Sequence, residues 1–399
     1  MDIEDLEEDT QNSELIQYYD IIKKFNIKPV VKNYINQKGL TGLLNLTNTC
    51  FLNSAIQCLS NIEKLTFYMI SNQFIKDLNI NNPLGTKGQL AVSYSNLIKQ
   101  IWQGTEPYVS PIQIKKIIEK KNKKIHCQFS GFNQQDSQEL LNFILDGLHE
   151  DLNRIKNKPI IENIEYQGGN DELYAERFFM NYKQRNDSII CDLMLGQFKS
   201  TLMCPDCRKI SITFDPYMTI SVPVPQIRQI NLSLQWNCQN TFSIYDCINE
   251  FVQEEILQKG NEWYCNICGE HKLAKKKIEI YQTPEILILH LKRFKVGTVN
   301  KYGGKYFVEQ EGKKITSLVD FPIENLNLED FVLNKKQISN VYNLFAVSQH
   351  LGEAAGGHYT TMALNFLNQK WYEYNDQNVL QKKNIEVKNQ AYILFYKRK

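Results

Sequence analysis

Two Cys-x-x-Cys pairs, Cys204-Pro205-Asp206-Cys207 and Cys265-Asn266-Ile267-Cys268, constrain this chain more than any other feature. Each pair presents two thiolates from one turn. Two such turns, carried on two β-hairpins, supply the four sulfurs of a tetrahedral zinc site. A single pair would be equally consistent with a redox motif or with chance. Two pairs flanked by strand-like sequence favour zinc over disulfides in a reduced protein. The gap between them exceeds that of a compact zinc ribbon, so the metal would join the two ends of an inserted segment. Four Cys ligands saturate the ion and no fifth ligand is evident, so the expected role is structural. Cys238 and Cys247, within the insertion, read as ordinary buried thiols.

A chain of 399 residues, 42% of them hydrophobic, is large enough to build a substantial core, as several domains or as one with insertions. The net charge of +2 points to neither nucleic acid nor a membrane surface. Lysines 115, 116, 120, 121, 123 and 124 have no interleaved aromatic residues and read as a solvated face. No apolar run approaches the ~20 residues that cross a bilayer. The acidic start (Asp2, Glu4, Asp5, Glu7, Glu8, Asp9) is unlike a secretory leader. With ten cysteines in no secreted-type framework, an intracellular protein of the cytoplasm or nucleus is expected. Residues 1–38 read as an extension: an acidic, disordered start, then the helical pattern Leu15, Ile16, Tyr19, Ile22, Phe25.

Chemistry is concentrated in boxes at opposite ends of the chain. Gly42-Leu43-Leu44-Asn45-Leu46-Thr47-Asn48-Thr49-Cys50 is a loop that runs into the apolar helical pattern Phe51, Leu52, Ala55, Ile56, Leu59. With Thr49 as N-cap, Cys50 sits in the first turn, where the positive helix end favours a thiolate. Asn45 carries an amide able to donate to an oxyanion formed beside that sulfur. Near the other end, His350-Leu351-Gly352-Glu353-Ala354-Ala355-Gly356-Gly357-His358-Tyr359 reads as a glycine-rich loop entering a strand that starts at His358. Glycines there let an extended substrate backbone pass close by. The strand Lys370-Trp371-Tyr372-Glu373-Tyr374 then ends at Asn375-Asp376. Cys50, His358, Asn375 is the Cys-His-Asn order of papain-like enzymes. By contrast His290, inside an apolar strand run, reads as a hydrogen-bonded core histidine. Between the boxes, residues 54–72 and 88–103 have helical spacing, and Asn133 would cap a helix carrying Asp136, Glu139, Leu140 and Leu148. Residues 156–185 read as polar loop.

Gly-Leu-x-Asn-Leu-x-Asn-Thr-Cys-Phe-Leu-Asn-Ser-x-x-Gln, Asn133-Gln134-Gln135-Asp136-Ser137, Gly356-Gly357-His358-Tyr359 and Trp371-Tyr372-Glu373-Tyr374-Asn375-Asp376 together resemble the boxes of the ubiquitin-specific protease family. The resemblance covers residues 41–398. It implies an α+β, papain-like cysteine peptidase over 39–399, with a helical thumb (about 41–185), zinc-bearing β-fingers (about 190–282) and a β-sheet palm (about 283–399). It implies a deubiquitinase cleaving after the C-terminal residue of ubiquitin. Its catalytic residues would be Cys50, His358, Asn375 and Asn45, with Asp376 supplying charge or positioning water. Asp136 and Glu139, with Gly357 and Tyr359, would bind the basic substrate tail, the fingers would grip ubiquitin's body, and residues 295–314 would be a gating loop. Ubiquitin and ubiquitinated proteins are then the expected partners, one zinc the expected metal, and a monomer the expected state. A catalytically silent ubiquitin-binding scaffold and a protease for a ubiquitin-like modifier are the alternatives. The family usually has Gly at the place of Thr47; where that position needs a positive φ, a β-branched residue is strained.

Overall fold

The computed structural model describes residues 23–25, 38–122, 133–226, 241–294, 299–302, 305–308, 313–336, 339–353, 356–385 and 389–399. The acidic start, most of the helical pattern after it, Cys238 and much of the 295–314 loop lie outside the described residues. The chain divides into two units: 1–156, 186–190 and 363–382 in the first, and 157–185, 191–362 and 383–399 in the second.

The first unit is mainly helical, and its core comes from apolar positions at helical spacing. Helix Cys50–Ser60 packs on Ser137–Asp151, which packs on Gln89–Gln103; Glu63–Ile70 and Ile112–Asn122 cover the last of these. Leu52, Ile56, Leu59, Leu90, Ile98 and Ile144 are buried among them. The expected helix over 54–72 breaks at Asn61 and Ile62. Side chains take the carbonyls a continuing helix would use: Asn61 Nδ2 donates to the Gln57 carbonyl and Thr66 Oγ1 to that of Ser60. Asp151, fully buried, accepts from the backbone N–H groups of Gly88, Leu90 and Ala91, and so caps Gln89–Gln103 with a charge at its positive end.

The second unit is mainly β. Strand Ile286–Lys292 pairs antiparallel with Ala391–Arg398 and parallel with Ile220–Pro223, and every residue but Lys292 is buried. That is the two-faced burial expected of its continuous apolar run. Val341–Glu353 pairs with the other side of Ala391–Arg398 and has Gly356–Asn365 as its outer neighbour. A separate sheet has the order Ile210–Tyr217, Gly196–Met203, Lys275–Gln282, Glu255–Ile256. Residues 156–185 are not all loop. Asp171–Lys183 is a helix capped by Asn170, whose side chain accepts from the Glu172 N–H. It packs Ala175 and Phe178 on Phe214 and Tyr281. Its single narrow apolar stripe lies among charged residues, which hid its period in the sequence.

The mixture of helix and sheet agrees with the α+β expectation. His290 is a core histidine: its Nδ1 lies 2.9 Å from Ser221 Oγ and its ring meets Tyr392 edge-on at 4.8 Å. Burial, then Lys292, pulls its pKa down to about 3 from 6.5. A folded-state pKa below the unfolded one means this neutral ring adds stability above about pH 6.5 that is lost as pH falls toward about 3. Urea midpoints measured between about pH 7 and about pH 4 are expected to fall less steeply for His290→Gln than for the native protein.

Candidate active site

Cys50 opens helix Cys50–Ser60 and is 1% exposed. The residue before it is at the N-cap position, but Thr49 does not cap with its side chain. Its Oγ1 faces back into the loop and accepts from the Leu46 N–H at 2.8 Å, while its own N–H donates to Asn45 Oδ1 at 3.0 Å. The loop is thus closed on itself immediately before the nucleophile candidate. Closing it requires a left-handed backbone at two successive residues, Thr47 (φ 70°) and Asn48 (φ 54°). Asn tolerates that conformation through its short polar side chain; Thr, β-branched, does not.

One N–H of the Asn45 amide is engaged, which leaves its second N–H to donate elsewhere. Its Nδ2 donates to Asp376 Oδ2 at 2.8 Å, and Asn53 Nδ2, one turn along the helix from Cys50, donates to Asp376 Oδ1 at 2.8 Å. Asp376 is the first residue of the two-residue turn between strands Lys370–Asn375 and Asn378–Lys382, with φ 50°. Its carbonyl also accepts from the Leu43 N–H at 2.8 Å. Gly42 has no alternative here: a Cβ would stand 2.3 Å from the Gln377 carbonyl oxygen. The carboxylate therefore joins the loop before Cys50, the helix after it and a hairpin tip from the far end of the chain. Asn375, the last residue of its strand, is exposed. The sequence pattern assigns Asn53 no role; its place three residues after Cys50, on the same helix, is the signal that points to it.

Helix Ser137–Asp151 is capped by Asp136, whose side chain accepts from the Gln138 N–H at 2.7 Å, and not by Asn133. One turn of helix fewer leaves Asp136 at the cap and Glu139 in the first turn. Partial burial, then the Asp136 carboxylate, pushes the Glu139 carboxyl up from its usual range.

In the second unit, the glycine-rich segment is not a loop entering at His358. Val341–Glu353 runs through His350 and Gly352, and its partner strand starts at Gly356, two residues before His358. Gly357 and His358 are half-buried and Tyr359 is buried. Four sulfurs, of Cys204, Cys207, Cys265 and Cys268, all lie within 4.8 Å of one another and could hold a metal ion. The pairs Cys204–Cys268 and Cys207–Cys265 are 3.8 and 3.5 Å apart. Sulfurs on a tetrahedral zinc, each about 2.3 Å from the metal, are separated by about 3.8 Å, so the set fits. Each pair is followed by a left-handed residue, Arg208 (φ 59°) and Gly269 (φ 72°), which folds the two turns alike. Among the described residues no helix is long and apolar enough to cross a membrane.

Comparison with known proteins adds the family. The family described as ubiquitin carboxyl-terminal hydrolase matches residues 41–396. Ubiquitin carboxyl-terminal hydrolase 2 of Rattus norvegicus is 35% identical over 368 residues, covering 91% of this chain and 55% of its own. The Homo sapiens protein of that name is likewise 35% identical over 368 residues, with 91% and 56% covered. Ubiquitin carboxyl-terminal hydrolase 15 of Rattus norvegicus is 50% identical over 198 residues, 50% of this chain and 20% of its own. The chain thus spans little more than half the length of the first two. In fold it is similar to the SAGA DUB module bound to monoubiquitin, with a TM-score of 0.64 and 21% identity over 98% of this chain and 75% of that one.

The strained loop yields a test. Thr47→Gly is expected to raise the unfolding free energy by up to about 1 kcal/mol, the relief of a left-handed β-branched residue less the added freedom of an unfolded glycine. Chemical denaturation of the two proteins measures it.

Proposed function

Since this chain belongs to the ubiquitin carboxyl-terminal hydrolase family, we propose that it is a thiol-dependent deubiquitinase, hydrolysing the peptide or isopeptide bond after the C-terminal residue of ubiquitin. The observation that carries the reading is the Asp376 carboxylate gripped by Asn45 and Asn53 on either side of Cys50 in sequence. A buried cysteine of purely structural use has no need of a held amide beside it.

In this reading Cys50 is the nucleophile and His358 the base that takes its proton. The thiolate attacks the carbonyl carbon, and Asn45 with the Cys50 N–H donates to the oxyanion. The C–N bond then breaks as His358 returns the proton to the leaving amine, leaving a thioester that water hydrolyses. Asn375 orients the imidazole. Asp376 takes a role other than water positioning: it holds Asn45, so that the oxyanion donor is fixed before the charge develops. Asp136 and Glu139 receive the basic tail of ubiquitin, consistent with the raised Glu139 carboxyl, which an arginine would relieve. Gly357 and Tyr359 line the passage of that tail. Zinc on Cys204, Cys207, Cys265 and Cys268 would staple the two hairpin turns of the fingers and take no part in the chemistry. Ubiquitinated proteins are the substrates, and a monomer in the cytoplasm or nucleus is the working form.

Ubiquitin carrying a C-terminal thiol-reactive warhead, run beside the same warhead on ubiquitin-like modifiers, tests the assignment. Labelling of native protein by the ubiquitin probe alone, lost in Cys50→Ala while ubiquitin binding persists, is the expected outcome. No labelling, or labelling that survives Cys50→Ala, would sink it. Asp376→Ala should lower kcat by about 10²–10³-fold, as loss of an oxyanion donor does, with a smaller change in KM. Asn375→Ala should cost less than His358→Ala. Prolonged chelation should release one zinc per chain, measured by elemental analysis, and weaken ubiquitin binding by Cys50→Ala protein.

A further inference from the structure

The strand Val341–Glu353 outruns its neighbour. Its pairing with Ala391–Arg398 ends at Gln349 and Ala391, and the His350 N–H makes a last backbone bond on that side, 2.8 Å to the Gln390 carbonyl. From there, among the described residues, the strand continues with Gly356–Asn365 as its one neighbour, which has Lys370–Asn375 on its far side. A sheet edge paired on one side only is less well held than a strand paired on both. Yet this ribbon carries His358 three residues into its second strand.

Where the missing strand would have donated, a side chain does. Within a strand a residue's N–H and C=O face the same neighbour, and residues two apart repeat the direction. The His350 carbonyl therefore points toward the vacated ladder, and that of Gly352, where the backbone turns left-handed, reaches the same cation. Both accept from Lys314 Nζ, at 2.7 and 2.8 Å. Lys314 is itself anchored. It bridges Phe294, and the next residue's N–H donates to the Arg293 carbonyl at 2.7 Å. The fully buried Arg293 side chain then donates to the carbonyls of Ile315, Ser317 and Ala391 at 3.0, 2.8 and 2.6 Å. A second contact of the ribbon is His350. Its buried ring meets Phe294 edge-on at 5.0 Å and Tyr359 at 4.6 Å. It fills the space beside Gly357 so closely that a Cβ there would lie 2.4 Å from its Nε2. Gly352, at φ 99°, lets the two strands close against each other.

We infer that Lys314 is a positioning residue for His358: its ammonium stands in for the absent strand and makes the ribbon rigid enough to present the imidazole. The inference rests on His358 being the base of the proposed reaction. Lys314 touches no reacting atom. Its contribution is the placement of one, and a misplacement of about 1 Å at a reacting group costs about 10²-fold. Lys314 is half-buried; burial and then the nearby Arg293 guanidinium lower its pKa, and the two carbonyls it meets are the acceptors that keep its ammonium in place.

The test compares native protein, Lys314→Met and Lys314→Arg in the full chain. It reads kcat and KM on ubiquitin bearing a C-terminal fluorogenic amide, together with backbone hydrogen exchange. Lys314→Met should lower kcat by about ten- to a hundredfold with KM within about twofold. Exchange should quicken in 349–360 and stay unchanged in Lys275–Gln282. Lys314→Arg, which keeps a cation of similar reach, should recover most of the rate. Undiminished kcat in Lys314→Met, slowed turnover with unaltered ribbon exchange, or faster exchange throughout the chain would each overturn the inference. A native protein that leaves the amide intact contradicts the deubiquitinase reading instead, and the exchange comparison then still decides whether Lys314 holds the ribbon.

Discussion

The carboxylate of Asp376 is the point on which the first unit turns. Each oxygen accepts a side-chain amide at 2.8 Å, one from Asn45 before Cys50 and one from Asn53 after it. A partly buried carboxylate with both oxygens engaged is held far more firmly than a surface turn residue, because charged acceptors make the shorter, stronger hydrogen bonds. The left-handed Asp376, the Cβ-less Gly42 against Gln377 and the strained Thr47 are local costs of bringing a hairpin tip onto this loop. Backbone strain of this kind persists where surrounding contacts over-determine it, and it concentrates at functional sites.

The second unit meets the same requirement, rigid presentation of a few side chains, by other means. Its wide sheet is well supported where strands lie on both sides, as at Ile286–Lys292. It is weakest where Val341–Glu353 projects past Ala391. There, charged and aromatic side chains stand where backbone pairing ends: Lys314 on the carbonyls, His350 in the gap left by Gly357 and Phe294 edge-on against His350. Elsewhere in this unit four cysteines from two short turns come together, with sulfurs within 4.8 Å of one another that could hold a metal ion.

Several local readings were overturned for one reason. Thr49 does not cap, Asn133 yields the cap to Asp136, the 54–72 helix breaks at Asn61, and the glycine-rich loop is a ribbon. In each case a polar side chain or a neighbouring strand took a partner other than the one that propensity favours. The helix Asp171–Lys183 was missed for the converse reason: little of it is buried, so its period is faint among charged residues.

What the amino-acid order determined alone was the chemistry: which cysteines come in Cys-x-x-Cys pairs, which cysteine opens a helix, which histidine follows paired glycines, and that the strand run around His290 is buried on both faces. Those properties follow from residue type and short spacing, which survive without a fold. Only the tertiary structure decided that Asp376 spends its charge on Asn45 and Asn53, that Thr47 is left-handed and that Lys314 closes an unfinished sheet edge. Thr47 is set by a loop that closes on its own side chains, but the other two depend on residues far apart in the chain meeting within hydrogen-bonding distance, and no local pattern encodes which distant partner a polar group will find.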